Sequence, residues 1–145
     1  MQKPTDAAVT AWARLIRAER EVRTQIEADL KEAGFPSLPW YDVLLELRRT
    51  PDGCLTPRAL EQEMLFEQYN LSRLLDRMEA EGLVRRIPFP GDKRRQLIEI
   101  TEEGRLLQRR MWSVYGAAID RFVGQKLADG EAEQLASLLS KLRGP

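Results

Sequence analysis

Residues 67–101 constrain this chain more than any other stretch. They read EQYNLSRLLDRMEAEGLVRRIPFPGDKRRQLIEIT. Leu71, Leu74, Leu75 and Met78 recur at helical spacing and form one apolar stripe. At about 100° per residue, Tyr69, Ser72, Arg73 and Asp76 point away from that stripe, with Asn70 and Arg77 on its flank. Such a helix buries one face and offers hydrogen-bonding groups on the other. Gly82 follows as a C′ residue, where a left-handed backbone costs glycine little. Two β-prone runs, 83–89 and 96–101, are joined by Pro90-Gly91-Asp92-Lys93-Arg94-Arg95, and turn residues between apolar runs predict a hairpin. Its loop is expected to carry three consecutive cations. A helix with a polar outward face beside a cationic hairpin is what a winged helix-turn-helix needs to grip duplex DNA.

The flanking chain reads as helices. Over residues 6–33, Val9, Trp12, Ile16, Ile26 and Leu30 mark a helical pattern that Gly34 stops and Pro36 keeps from restarting. A helix of about 28 residues spans roughly 40 Å, more than a small domain covers alone, so part of it is expected to pack on a second chain. Ser37-Leu38-Pro39 opens a second helix with Trp40, Val43, Leu44 and Leu47 on its buried face. It ends by Arg49, because Thr50 precedes Pro51. After the Pro51-Asp52-Gly53 turn, Cys54-Leu55 can add a short strand to the hairpin. Thr56-Pro57 starts a third helix, N-cap hydroxyl then proline at N1, reaching Met64 or Leu65. A break must follow before the central helix begins near Gln68, yet neither glycine nor proline marks it. Fusion of 57–81 into one helix is the alternative.

Thr101 is expected to cap a helix carrying Leu106, Leu107, Met111, Val114, Tyr115, Ala118, Ile119, Phe122 and Val123 and running to about Leu127. Glu102 and Glu103 suit its positive end. Asp129 is expected to cap a last helix with the stripe Leu135, Leu138, Leu139 and Leu142.

Charge and composition limit the function classes. Lys plus Arg equals Asp plus Glu at 23 each, where a nucleic-acid binder is often basic, so the placement of charge has to carry the argument. Between residues 73 and 95, seven cations face four acids, a modest excess that an ordinary solvated surface also shows. No apolar run approaches the roughly 18 residues of a membrane span, and the N-terminus lacks the apolar core of a signal peptide. One cysteine, Cys54, cannot form an internal disulfide, which agrees with a cytoplasmic location. There is no histidine, no glycine-rich phosphate loop and no zinc pattern, so neither catalysis, a metal site nor a cofactor is expected.

The order of elements and two motifs carry a resemblance. Asp92-Lys93-Arg94 followed by Ile100-Thr101-Glu102-Glu103-Gly104 is similar to the wing signature of the MarR family of dimeric winged-helix transcriptional regulators. Ser72-Arg73-Leu74-Leu75-Asp76-Arg77-Met78-Glu79 with Gly82-Leu83-Val84 resembles that family's recognition helix and its exit into the wing, and 55–60 resembles the helix before it. The resemblance runs over nearly the whole chain. It departs at Leu65, where the family usually has a turn glycine.

The resemblance implies a mainly α fold with a small β wing. Residues 37–101 would form the DNA-binding domain, and residues 1–36 and 102–145 an intertwined dimerisation region. The 68–77 helix would enter the major groove, with Gln68, Asn70 and Arg73 as candidate base contacts, since arginine pairs with guanine and asparagine or glutamine with adenine. Tyr69 and Ser72 are candidates for phosphate. Arg77 is either a DNA contact or half of an ion pair with Asp92 or Asp76. Arg94 matches the family's minor-groove arginine, and Lys93 and Arg95 are candidates for phosphate.

The expected partners are double-stranded DNA carrying a palindromic operator, a second copy of the chain and a small aromatic effector; the expected role is repression with release by that effector. Trp12, Trp40, Tyr41, Met111, Trp112 and Tyr115 are the candidate lining of an effector cleft, with ordinary core packing as the plainer account. Two alternatives remain open at this point: a winged-helix protein-interaction module without specific DNA binding, and a thiol-based redox sensor using Cys54.

Overall fold

The computed structural model describes residues 2–144. It contains α1 (Asp6–Glu32), α2 (Leu38–Arg49), β1 (Cys54–Leu55), α3 (Pro57–Glu63), α4 (Leu71–Ala80), β2 (Val84–Phe89), β3 (Asp92–Ile100), α5 (Glu102–Phe122), a 3-10 turn (Gly124–Lys126) and α6 (Glu131–Leu142). The mainly α architecture with a small β wing is therefore as expected. The chain divides into two compact units, one of residues 34–113 and one formed by the N-terminal helix with the residues from 114 onward.

The first unit holds α2, α3, α4 and a three-stranded antiparallel sheet in the order β1-β3-β2. Leu71, Leu74, Leu75 and Met78 of α4 are buried with Val43, Leu44 and Leu47 of α2, Leu60 of α3 and Ile98 and Ile100 of β3. The helical stripe predicted for α4 is thus the stripe that enters the core. Cys54 pairs with Glu99 and Leu55 with Ile98, so the short strand joins the hairpin through β3.

Thr101 ties the wing to α5. Its hydroxyl donates to the Gly82 carbonyl at 2.6 Å and accepts the Gly104 amide N–H at 3.0 Å. A Cβ at Gly104 would collide with the Leu83 carbonyl, which is why the Thr-x-x-Gly spacing needs glycine there. Gly82 takes φ +76 after α4, as its C′ role predicts.

In the second unit, α1 leaves Val9, Trp12 and Ile16 exposed and α6 leaves Leu135, Leu138 and Leu142 exposed. Arg121 pairs with Asp29.

Five local expectations are corrected. The helix expected over 68–77 begins only at Leu71, so Gln68, Tyr69 and Asn70 precede it. Asn70 is its N-cap, and the side-chain oxygen accepts the Arg73 amide N–H at 3.0 Å. The chain turns at Phe89-Pro90-Gly91-Asp92, with Gly91 at φ +79, and Lys93, Arg94 and Arg95 lie on β3 instead of in a loop. They occupy an irregularity: Phe89 faces Asp92 while Pro88 faces Gln96. The helix expected to reach Leu127 stops at Phe122, where Val123 leaves helical geometry ahead of Gly124. Gly130, at φ +85, is the N-cap of α6 in place of Asp129. Finally, Asp76 and Asp92 pair with Arg86 and Arg94, so the ion pair weighed for Arg77 does not form.

Candidate nucleic-acid interface

The α3–α4 connection determines where α4 starts. Met64 leaves α3 with extended backbone at ψ 138, and no glycine or proline causes it. The cause lies in α2. Asp42, only 4% exposed, accepts the Phe66 amide N–H at 2.8 Å, and the Leu65 amide also bonds it. A continued helix would direct those two N–H groups to α3 carbonyls, so the buried carboxylate competes for them and opens the chain. Leu65 keeps a negative φ and its side chain is exposed, so this turn does not call for the glycine usual at that position. Burial raises the Asp42 carboxyl above its ordinary range, partly offset by the two amides.

With its apolar stripe buried, α4 presents Ser72, Arg73, Asp76 and Arg77 to solvent. Among the described residues, neither Arg73 nor Arg77 makes an ion pair. Tyr69, just before the helix, is fully exposed. A groove between α3 and this turn is lined by Arg58, Gln62, Met64, Phe66, Gln68 and Tyr69. Asn70 stands apart from the other polar candidates, because its side-chain oxygen is occupied by the cap.

The cations of the wing divide by partner. Strand alternation sends Arg85 and Arg86 to opposite faces. Arg85 pairs across the sheet with Glu99 at 2.7 Å. Arg86 turns to α4 and meets Asp76 at 2.7 Å and Glu79 at 2.9 Å. Arg95 lies over the Phe89 ring at 3.9 Å, a cation–π contact. Arg94 is 94% exposed and, among the described residues, its side chain pairs only with Asp92, at 3.7 Å, while Lys93 is exposed. Arg73, Arg77, Lys93 and Arg94 therefore remain the cations best able to meet phosphate or base edges. Sequence reasoning missed Arg86 as a bridge and Asp42 altogether. The short Arg85-Arg86 run gave a charge signal, but its partners lie on other elements.

The aromatic candidates are only partly assembled. Tyr41 and Trp112 stack with ring centroids 6.3 Å apart, and the Tyr41 hydroxyl accepts from Gln108 at 3.1 Å. Gln108 also accepts from Arg48. Trp40 packs against the core and Met111 is fully buried, whereas Trp12 and Tyr115 belong to the other compact unit. None of the six lines the groove beside α3.

The Cys54 thiol sits 3.6 Å from a Glu99 oxygen and 3.4 Å from the Asp52 carbonyl. Burial first, then the charges of Glu99 and Asp52, push its pKa up, opposite to what a peroxide-reactive thiolate needs.

A helix-turn-helix followed by a β-wing, with exposed cations on the second helix and on the wing, defines a winged-helix DNA-binding protein. Comparison with known proteins agrees. A sequence profile of the MarR family matches residues 34–95. The multiple antibiotic resistance protein MarR of Salmonella typhimurium is 30% identical over 102 residues, covering 70% of this chain and 69% of that protein. The chain belongs to the MarR family of transcriptional regulators. Among solved structures, Sco3205 of Streptomyces coelicolor, a MarR family regulator in complex with DNA, superposes with a TM-score of 0.87 at 23% identity, covering 98% of this chain and 89% of that one. Bordetella bronchiseptica BpsR, whose DNA binding is regulated by 6-hydroxynicotinic acid, gives 0.82 at 19% identity and 97% of both chains. No described helix is long and apolar enough to cross a membrane.

Proposed function

We propose that this protein is a cytoplasmic repressor that binds a palindromic operator as a homodimer and is released by a small aromatic ligand. The observation that carries the DNA reading is the set of exposed cations on α4 and the wing: Arg73, Arg77 and Lys93, with Arg94, whose contact with Asp92 is long and solvent-facing. In this reading α4 enters the major groove. Arg73 and Gln68 meet base edges, Tyr69 and Ser72 meet phosphate, and Arg77 reaches the backbone. Arg94 enters the minor groove with Lys93 on phosphate, and Arg95 supports the wing through Phe89.

Residues 37–101 serve as the DNA-binding domain, and residues 1–36 and 102–145 as the dimerisation region. The exposed apolar residues Val9, Trp12 and Ile16 of α1 and Leu135, Leu138 and Leu142 of α6 support that assignment, since a monomer gains by covering such a surface. A homodimer sets two recognition helices about one turn of DNA apart, hence the palindrome. Aromatic release is argued from the regulation of BpsR by 6-hydroxynicotinic acid and from the stacked Tyr41–Trp112 pair, with Trp12, Trp40, Met111 and Tyr115 as further candidates for the pocket.

Alanine at Arg73 and Arg94 tests the reading against a winged-helix module that binds only protein. A DNA binder loses most of its affinity for a selected duplex in each variant. Retention of full affinity by both would overturn the assignment.

A further inference from the structure

The recognition helix carries two carboxylates, Asp76 and Glu79, on a side a polyanion would approach, and each would oppose DNA if left bare. Ser72, Asp76 and Glu79 follow one another at spacings of four and three, so they share one helix edge. Arg86 of β2 engages all three. Its guanidinium meets Asp76 at 2.7 Å, Glu79 at 2.9 Å and the Ser72 carbonyl at 3.4 Å. Its backbone N–H donates to the second Glu79 oxygen at 3.0 Å. The Arg86 side chain is 20% exposed, so this arginine is largely withdrawn from any duplex. Simple surface pairs contribute little, but one guanidinium shared among three acceptors and a backbone bond in parallel fixes geometry.

We infer that Arg86 is a positioning residue for DNA recognition: it locks the wing to the recognition helix so that both meet the duplex as one body, and it offsets part of the charge of the helix carboxylates. The inference rests on the DNA-binding reading of α4 and the wing. It makes Asp76, a negative charge on the DNA-facing helix, favourable for DNA binding. Simple electrostatics gives the opposite sign.

The test uses the full chain and a duplex enriched by the wild-type protein from a random-sequence library. Asp76 is 66% exposed, so Asp76→Ala leaves the core untouched. The expected result is an affinity loss of about tenfold for Asp76→Ala and for Arg86→Ala, the scale of one charged hydrogen-bonded contact. The double variant should lose less than the two single losses combined. Arg86→Ala should leave the salt dependence of binding unchanged, because a phosphate-contacting arginine would lower the slope by about one. Tighter or unchanged binding by Asp76→Ala, or a flattened slope for Arg86→Ala, would overturn the inference while leaving the DNA reading intact. Failure of the wild-type protein to enrich any duplex would overturn both. Independently of DNA, Glu79→Ala should speed hydrogen exchange at the Arg86 amide; unchanged exchange would remove the clamp.

Discussion

The Asp42 carboxylate accepts the Phe66 amide N–H at 2.8 Å across a separation of 24 residues, and this bond separates α3 from α4. Asp42→Ala leaves the part-buried Phe66 N–H without its acceptor, so it should cost about 1 kcal/mol of unfolding free energy. Asp42→Asn keeps one acceptor and should cost less. Urea unfolding of both variants measures the difference, and equal costs would contradict the role given to the carboxyl oxygen.

Asp42 also fixes the sign of a pH effect. Burial raises its pKa in the folded state above the ordinary value of 3.8, so the folded protein holds this proton more tightly than the unfolded chain does. The group's contribution to stability is complete below 3.8 and is lost as pH rises through the folded value. The wild type should therefore lose stability relative to Asp42→Asn as pH climbs from 3.8 through that window. A gain over the same window, in urea titrations at stepped pH, would contradict the assignment.

Asn70 caps α4 by accepting the Arg73 amide N–H on its side-chain oxygen. Asn70→Ala should cost about 1 kcal/mol of stability, and Asn70→Asp should restore it because the aspartate oxygen caps equally well. Calorimetric unfolding of the pair checks this.

Gly104 faces the Leu83 carbonyl too closely for a Cβ. Gly104→Ala should destabilise by about 1–3 kcal/mol, as overpacking does, by forcing α5 and the wing apart. A variant as stable as wild type would show that the Thr101–Gly82 junction yields more easily than its hydrogen bonds indicate.

Much of the fold is legible because its signals are local. Thr56-Pro57 and Thr101 carry their own caps, Gly82 supplies a left-handed backbone, and the α4 stripe repeats at helical period. The break at 64–70 is not legible, because Asp42 imposes it from another helix. The placement of Lys93, Arg94 and Arg95 on β3 was hidden for a related reason. Their run reads as a loop, while Gly91 closes the turn early and leaves the cations as an irregularity within the strand. Composition named the basic residues but could not sort them. Arg85 and Arg86 are committed to Glu99, Asp76 and Glu79, and only pairing across elements separates them from Arg73, Arg77, Lys93 and Arg94.

The central claim is that the exposed cations of α4 and the wing bind a specific duplex. Fluorescence anisotropy tests it most directly, with the purified protein on a selected duplex and on a scrambled one over a salt series. The account predicts at least about a thousandfold preference for the selected duplex, with affinity falling steeply as salt rises. Equal, weak binding to both duplexes at every salt concentration would contradict it.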